Sequence, residues 1–326
     1  MSIPPIIVSS ARMGWKWQWN QLMNGLAPAD EAGNYCRPKS KAQNSLSITA
    51  TDLLKRSQEE LPVLIIGRSC PWAHRTWLIY VLRNLQASLN LTIAQPDYKA
   101  GLWSISPTLM GCKSLLEVYK LCDAPPSRRA TVPALIDPII TNTKKPKLLG
   151  NESAQLVETL NIWPTKHSDC KDLSPEDLHL EINYWQNKLQ ESVNNGVYKC
   201  GFARNQSSYD RASDELFSSL NQLEKHLSSK GPWICGDKLT IADIRLFPTL
   251  IRWEAVYAPL FGCTQRYLST FPQLLDWRKR FFNLPNVSDT CNAMNWRNDY
   301  FGALFPINPS NIVPKGPNIE EIINYT

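Results

Sequence analysis

The chain has 326 residues, 43% hydrophobic and 20% charged, enough for two ordinary domains that each bury a core and far from a disordered composition. No run approaches the ~20 consecutive apolar residues of a membrane span. The net charge of +6 is thinly spread, its densest cluster being Arg278-Lys279-Arg280, so neither membrane nor nucleic acid is an expected partner. Nine cysteines with no C-x-x-C pair, beside four histidines, exclude zinc-finger and dithiol-redox patterns. No metal is expected, and most thiols should be simply buried in a reducing, cytoplasmic compartment. Residues 1–10 carry no basic flank before their short apolar run, which does not suit a secretory signal.

In chain order, residues 1–60 read as an N-terminal extension. Trp15, Trp17 and Trp19 alternate as on a strand face, but Gly, Pro and Asn interrupt any long element. The segment either wraps over a domain or hangs as a loose arm. Regular punctuation begins at Leu61. Pro62-Val63-Leu64-Ile65-Ile66, closed by Gly67, is a buried strand. After Cys70-Pro71, the positions Trp77, Leu78, Val81, Leu82 and Leu85 share one helical face. Leu89 to Ala94 is a second strand. Residues 96–111, with two prolines and two glycines, read as a loop, and Leu115 to Leu121 as a short helix. Thr131 to Asp137 is a strand entered through Pro133, and Lys147 to Gly150 a short strand. Glu152 to Leu160 is a helix with Ala154, Leu156, Val157 and Leu160 on one side. This βαβ, helix, ββα order over residues 61–162 is that of a thioredoxin-like domain.

A linker at 163–172 precedes an all-α domain at 173–290 and a C-terminal extension at 291–326. Ser174-Pro175-Glu176-Asp177 combines a serine cap, proline at the first helical position and acids in the first turn. A second helix covers Tyr209 to Leu227. Thr240 and Asp243 form a reciprocal cap stapled by Leu239 and Ile244, Pro248 should kink the helix that follows, and another helix covers Gln273 to Phe282.

Cys70 stands where a buried strand ends and a helix begins. Unpaired amides and the partial positive charge there favour a thiolate, so its pKa should fall, with possible cationic help from His74 and Arg75. Pro71 suits the first helical turn. Position 73 is alanine where a dithiol enzyme would carry a resolving cysteine, so a mixed disulfide on Cys70 must await an external thiol. The bland alternative is an inert buried thiol. In a thioredoxin-like domain, a cis Val132–Pro133 bond would turn the Val132 backbone toward the cysteine to pair with an extended thiol peptide. Glu152 and Ser153 open a helix that can hold an ammonium and a carboxylate, the two charges of a γ-glutamyl group, or can be an ordinary capped helix with a solvated glutamate.

The combination Cys70-Pro71-Trp72-Ala73-His74-Arg75, Thr131-Val132-Pro133, Asn151-Glu152-Ser153 and Asn194-Asn195-Gly196-Val197-Tyr198 resembles the glutathionyl-hydroquinone reductases, the xi class of omega-like glutathione transferases. The resemblance spans roughly residues 30–320 and includes Gly33-x-Tyr35-x-Arg37, Thr240-x-x-Asp243 and Ile307-Asn308-Pro309. It implies a thioredoxin-like domain followed by an all-helical one, glutathione as co-substrate, a glutathionylated quinol as small-molecule partner, and a homodimer. It further implies Cys70 as nucleophile, with Trp103, Arg129, Val132, Glu152 and Ser153 holding glutathione and Tyr198 and Tyr300 facing the quinol ring. The Trp296-Arg297-Asn298-Asp299 string and the segment from Pro96 to Cys112 depart from the family pattern around Tyr300 and Trp103. Two alternatives stay open: dehydroascorbate reduction or protein deglutathionylation on the same thiol, and a non-catalytic binding module on this fold.

Overall fold

The structure is a computed structural model that describes residues 3–38, 50–124, 129–139, 145–165 and 171–324. Cys170, within the segment read as a linker, lies outside the described residues. Six strands form one sheet in the order Cys112–Ser114 (β4), Leu102–Leu109 (β3), Asn90–Asp97 (β2), Val63–Gly67 (β1), Ala134–Asp137 (β5), Lys147–Gly150 (β6). Val63–Gly67 (β1) runs into the helix Pro71–Leu82 (α3), which crosses to Asn90–Asp97 (β2), parallel to β1. Ala134–Asp137 (β5) pairs antiparallel with β1 and with Lys147–Gly150 (β6). The helices Leu115–Leu121 (α4) and Ser153–Asn161 (α5) complete this half. All five β1 residues are buried, as a continuous apolar run demands of a strand covered on both faces.

Residues 96–111 are not a loop. They contain Leu102–Leu109 (β3), antiparallel to β2, and lead into Cys112–Ser114 (β4). The two glycines are turn residues: Gly101 has φ 64° before β3, and Met110-Gly111, with φ 51° and 77°, is a two-residue hairpin turn of the kind that matches strand twist. Counting Gly and Pro concealed the alternation Trp103, Ile105 against Ser104, Ser106.

The N-terminal segment also differs from its reading. Pro5–Leu26 (α1) is one 22-residue helix, entered through Pro5 at its first turn, and Ala50–Lys55 (α2) is a short second one. Gly14 costs such a helix about 1 kcal/mol, too little to break it. Trp17 is 64% exposed and Trp15 48%, whereas Met23 is fully buried. The chain after α1 is tied down. Arg204 donates to Asn24 Oδ1 and Ala27 O, and Asn205 Nδ2 and Ser208 Oγ donate to Ala32 O. Gly33, at φ 84°, approaches so closely that an added Cβ would lie 2.5 Å from Asn205 Nδ2.

From His179 onward the described chain is helical: His179–Leu189 (α6), Gly196–Gly201 (α7), Gln206–Lys230 (α8), Ile241–Leu250 (α9), Ala258–Phe261 (α10), Pro272–Phe282 (α11), Ala293–Ala303 (α12) and Ile319–Ile323 (α13). Ser174 does not cap a helix. Pro175 precedes a single 3₁₀ turn, Glu176–Leu178, and α6 starts after it. The Thr240–Asp243 pair is fully buried; Asp243 accepts from Thr240 N and Oγ1, Ile234 N and Trp277 Nε1, pinning α9 to α11. Two residues beyond Pro248 the chain leaves α geometry and makes a wide turn, Tyr257 N bonding Arg252 O. A similar turn joins α6 to α7, where Asn195 N bonds Gln190 O. Such i→i−5 turns often mark functional sites; the first ends on Tyr257 and the second leads into the helix that carries Tyr198.

Candidate active site

Cys70 caps α3, its own amide bonded to Gly67 O and its carbonyl accepting from His74 N. Its sulfur lies 3.6 Å from Val132 O, and the Val132–Pro133 bond is cis, so the end of β1 and the entry to β5 meet at the thiol. Trp103 of β3 packs on the same junction. A Cβ added to Gly67 would sit 2.5 Å from Trp103 Cζ3 and 3.2 Å from Val132 Cγ2, so only glycine lets the ring lie there. A polar chain ties the neighbouring loops: Asn151 Nδ2 donates to Tyr119 OH, which donates to Thr131 O. Glu152 caps α5, and the buried Ser153 hydroxyl has no hydrogen-bond partner among the described residues. Arg129 is exposed at the border, with its charge felt by Tyr35.

The thiol differs from its reading. Burial pushes Cys70 up, and the amides of Ala73 and Trp72 with the charges of Arg252 and Arg37 counter this only in part. His74 gives no cationic help. Burial and then the Arg252 charge hold it well below the usual histidine range, with Nδ1 2.8 Å from Arg252 Nη1 and Nε2 2.8 Å from Thr290 Oγ1. The cation that the sulfur feels most is Arg252, fully buried and anchored by donation to Arg68 O and Pro248 O. No local signal marks it, because its partners lie up to 184 positions away.

Tyr198 and Tyr300, far apart in sequence, have hydroxyls 2.6 Å apart. A third tyrosine completes the group: Tyr257 OH lies 3.5 Å from Tyr198 OH and 3.4 Å from Tyr300 OH. Sequence reasoning missed Tyr257, which looks there like one more apolar helix residue. Burial, followed by neighbouring tyrosines, pushes Tyr198 and Tyr300 well up, so both are O–H donors at neutral pH. Tyr257 is also raised by burial, and it feels the charge of Cys70, which ties the hydroxyl group to the thiol. Trp72 stacks on Tyr198 with ring centroids 5.9 Å apart. Beside this group a cleft of about 490 Å³ opens among Arg37, Trp72, Arg75, Glu152, Lys199 and Arg245. Among the described residues no cluster of three or more His, Cys, Asp or Glu side chains could hold a metal, and no helix is long and apolar enough to cross a membrane.

A family model described as the glutathione S-transferase C-terminal domain matches residues 206–280. The chain is 32% identical over 262 residues to glutathionyl-hydroquinone reductase PcpF of Sphingobium chlorophenolicum, covering 78% of this chain and 82% of that one. The chain belongs to the xi class of glutathione transferases, the family of the glutathionyl-hydroquinone reductases. Escherichia coli YqjG, another glutathionyl-hydroquinone reductase, is 32% identical over 78% of each chain. The glutathione-bound structure of YqjG superposes with a TM-score of 0.73 over 78% of this chain and 84% of that one. The xi-class transferase of Phanerochaete chrysosporium, 30% identical, superposes with a TM-score of 0.79 over 89% and 94%. This xi-class chain is thus a glutathione-dependent enzyme with a thioredoxin-like half and a helical half.

Proposed function

We propose that the enzyme reduces glutathionyl-hydroquinones to hydroquinones through a Cys70–glutathione mixed disulfide, in a reducing, cytoplasm-like compartment that suits the eight free cysteines among the described residues. The observation that carries this reading is the cluster of three protonated tyrosine hydroxyls within electrostatic reach of a cysteine at a helix entrance. The glutathionyl group lies along the Val132 backbone, its γ-glutamyl end on Glu152 and Ser153, with Trp103 and Arg129 at its flanks. In the keto tautomer of the quinol, the carbon bearing sulfur is α to a carbonyl. The Cys70 thiolate attacks the glutathionyl sulfur, the S–S bond forms and the C–S bond breaks. The released electron pair moves to the carbonyl oxygen as a phenolate, stabilised by donation from Tyr198 and Tyr300. That phenolate takes a proton to give the hydroquinone. A second glutathione thiolate then attacks the mixed disulfide, freeing Cys70 and leaving as oxidised glutathione. Ping-pong kinetics follow.

Because burial raises the thiol, turnover at neutral pH draws on a minor thiolate fraction, and the rate rises with pH. Cys70→Ala should abolish turnover of a glutathionyl-hydroquinone, read by loss of the conjugate in chromatography. Full activity in that variant would overturn the reading. Parallel assays with dehydroascorbate and a glutathionylated peptide separate the rival thiol chemistry, since only the quinol reaction expels carbon.

A further inference from the structure

The cleft beside the tyrosines carries more positive charge than its own residues answer. Lys199 is paired, 3.8 Å from Glu191 and 3.5 Å from Glu215. Arg37, Arg75 and Arg245 make no ion pair among the described residues. Arg75, only 2% exposed, donates Nε to Arg245 O and leaves Nη2 without a partner. Arg245 donates to the neutral amides of Gln186 and Gln190, and its Nε is likewise unpartnered. Arg37 lies over Trp72, its guanidinium carbon 3.6 Å from the ring centroid, and Arg75 lies 4.5 Å from the same ring. Arg75 feels the charge of both other arginines, opposed mainly by Glu152, and Arg245 feels Glu158 and Glu152. Three guanidiniums gathered around one cleft with so little counter-charge call for an anion.

We propose that this cleft docks the second glutathione, the one that resolves the Cys70 mixed disulfide, by its carboxylates on Arg37, Arg75 and Arg245. The inference rests on the mixed-disulfide reading. Of the elements assigned to the first glutathionyl group, Val132, Ser153, Trp103 and Arg129 do not line this cleft, and Glu152, which does, stands at the border of the two sites. Arg37 and Arg245 come from other elements, the segment after α1 and helix α9. The resolving species carries two carboxylates and a thiolate, so a cationic approach both gathers it and favours its ionised sulfur. Trp72 and Arg75 stand on the first turns of the helix that Cys70 caps and line the cleft, which puts it next to the disulfide to be attacked.

The test uses full-length protein in a Cys36→Ser background, which removes an exposed thiol at the cleft rim. Oxidised glutathione loads Cys70, mass spectrometry verifies the adduct, and its release is followed by stopped flow with glutathione and, separately, with neutral 2-mercaptoethanol. Arg37→Gln should lower the preference for glutathione over 2-mercaptoethanol about tenfold, and Arg37→Lys should restore part of it. Taking the ratio cancels any effect of Arg37 on Cys70 as leaving group. An unaltered preference overturns the proposal, as does an effect confined to the half-saturating concentration of the glutathionyl-hydroquinone. Failure to form any Cys70 adduct removes the mixed-disulfide reading and the inference with it.

Discussion

Tyr300→Phe removes one hydroxyl from a buried group and leaves the ring in place. The structural loss is the 2.6 Å bond to Tyr198 and the longer 3.4 Å contact with Tyr257, whose hydroxyls keep each other at 3.5 Å. A neutral hydrogen bond of this kind contributes about 1 kcal/mol, so the melting temperature should fall by no more than about 4 °C. Catalysis should suffer far more. A donor aimed at a developing oxyanion is worth about 10²–10³ in rate, ~2.7–4 kcal/mol, because the surroundings exclude water. The variant should therefore release hydroquinone about a hundredfold more slowly in a single turnover, while glutathione still clears a preloaded Cys70 adduct at nearly the parent rate. Rapid-quench chromatography follows the first half-reaction and stopped flow the second. A loss below about tenfold in the first, or an equal loss in both, would refute the assignment of the hydroxyl to carbon–sulfur cleavage. Adding Tyr198→Phe should cost less than the sum of the two single changes, since the hydroxyls touch.

Three further outcomes are expected. Alkylation of Cys70 by iodoacetamide, read by peptide mass across a pH series, should have a midpoint above the ordinary thiol value; a midpoint below it would mean that the amides of α3 and the arginines outweigh burial. Gly67→Ala should destabilise the protein by about 1–3 kcal/mol in urea melts, through the 2.5 Å approach of its Cβ to Trp103, and a second change, Trp103→Ala, should relieve the clash. Met23→Ala should cost about 2–5 kcal/mol, whereas Trp17→Ser should stay within about 0.5 kcal/mol, because the first is fully buried and the second 64% exposed.

What sequence could reach was local. The run Val63–Gly67, the cysteine after it and the Thr240–Asp243 cap depend on neighbours within a few positions, and each appears in the fold with its anticipated geometry. Pro and Gly misled where they serve as turn chemistry between strands, as at Gly101 and Gly111, and proline misled at Ser174-Pro175, where the true helix starts one turn later. Three alternating tryptophans look like a strand only until Pro5 is seen to open a helix that leaves two of them in water. At the site, Arg252 and Tyr257 were invisible because their meaning comes from Arg68, His74 and Tyr300, brought to them by packing. The direction of the Cys70 shift turns on the same thing: a helix terminus is legible in a string of letters, and the packing that takes it out of water is not.

The triangle of phenols has an arithmetic of its own. Three O–H groups pointing around a ring use one proton and one lone pair apiece, which leaves three lone pairs and no spare proton. A phenol brought to that ring finds acceptors waiting, whereas a ketone finds nothing to accept from until one member of the ring turns its proton outward. The same three side chains thus greet the enol and the keto form of one molecule differently, by a hydroxyl rotation and without any movement of the backbone.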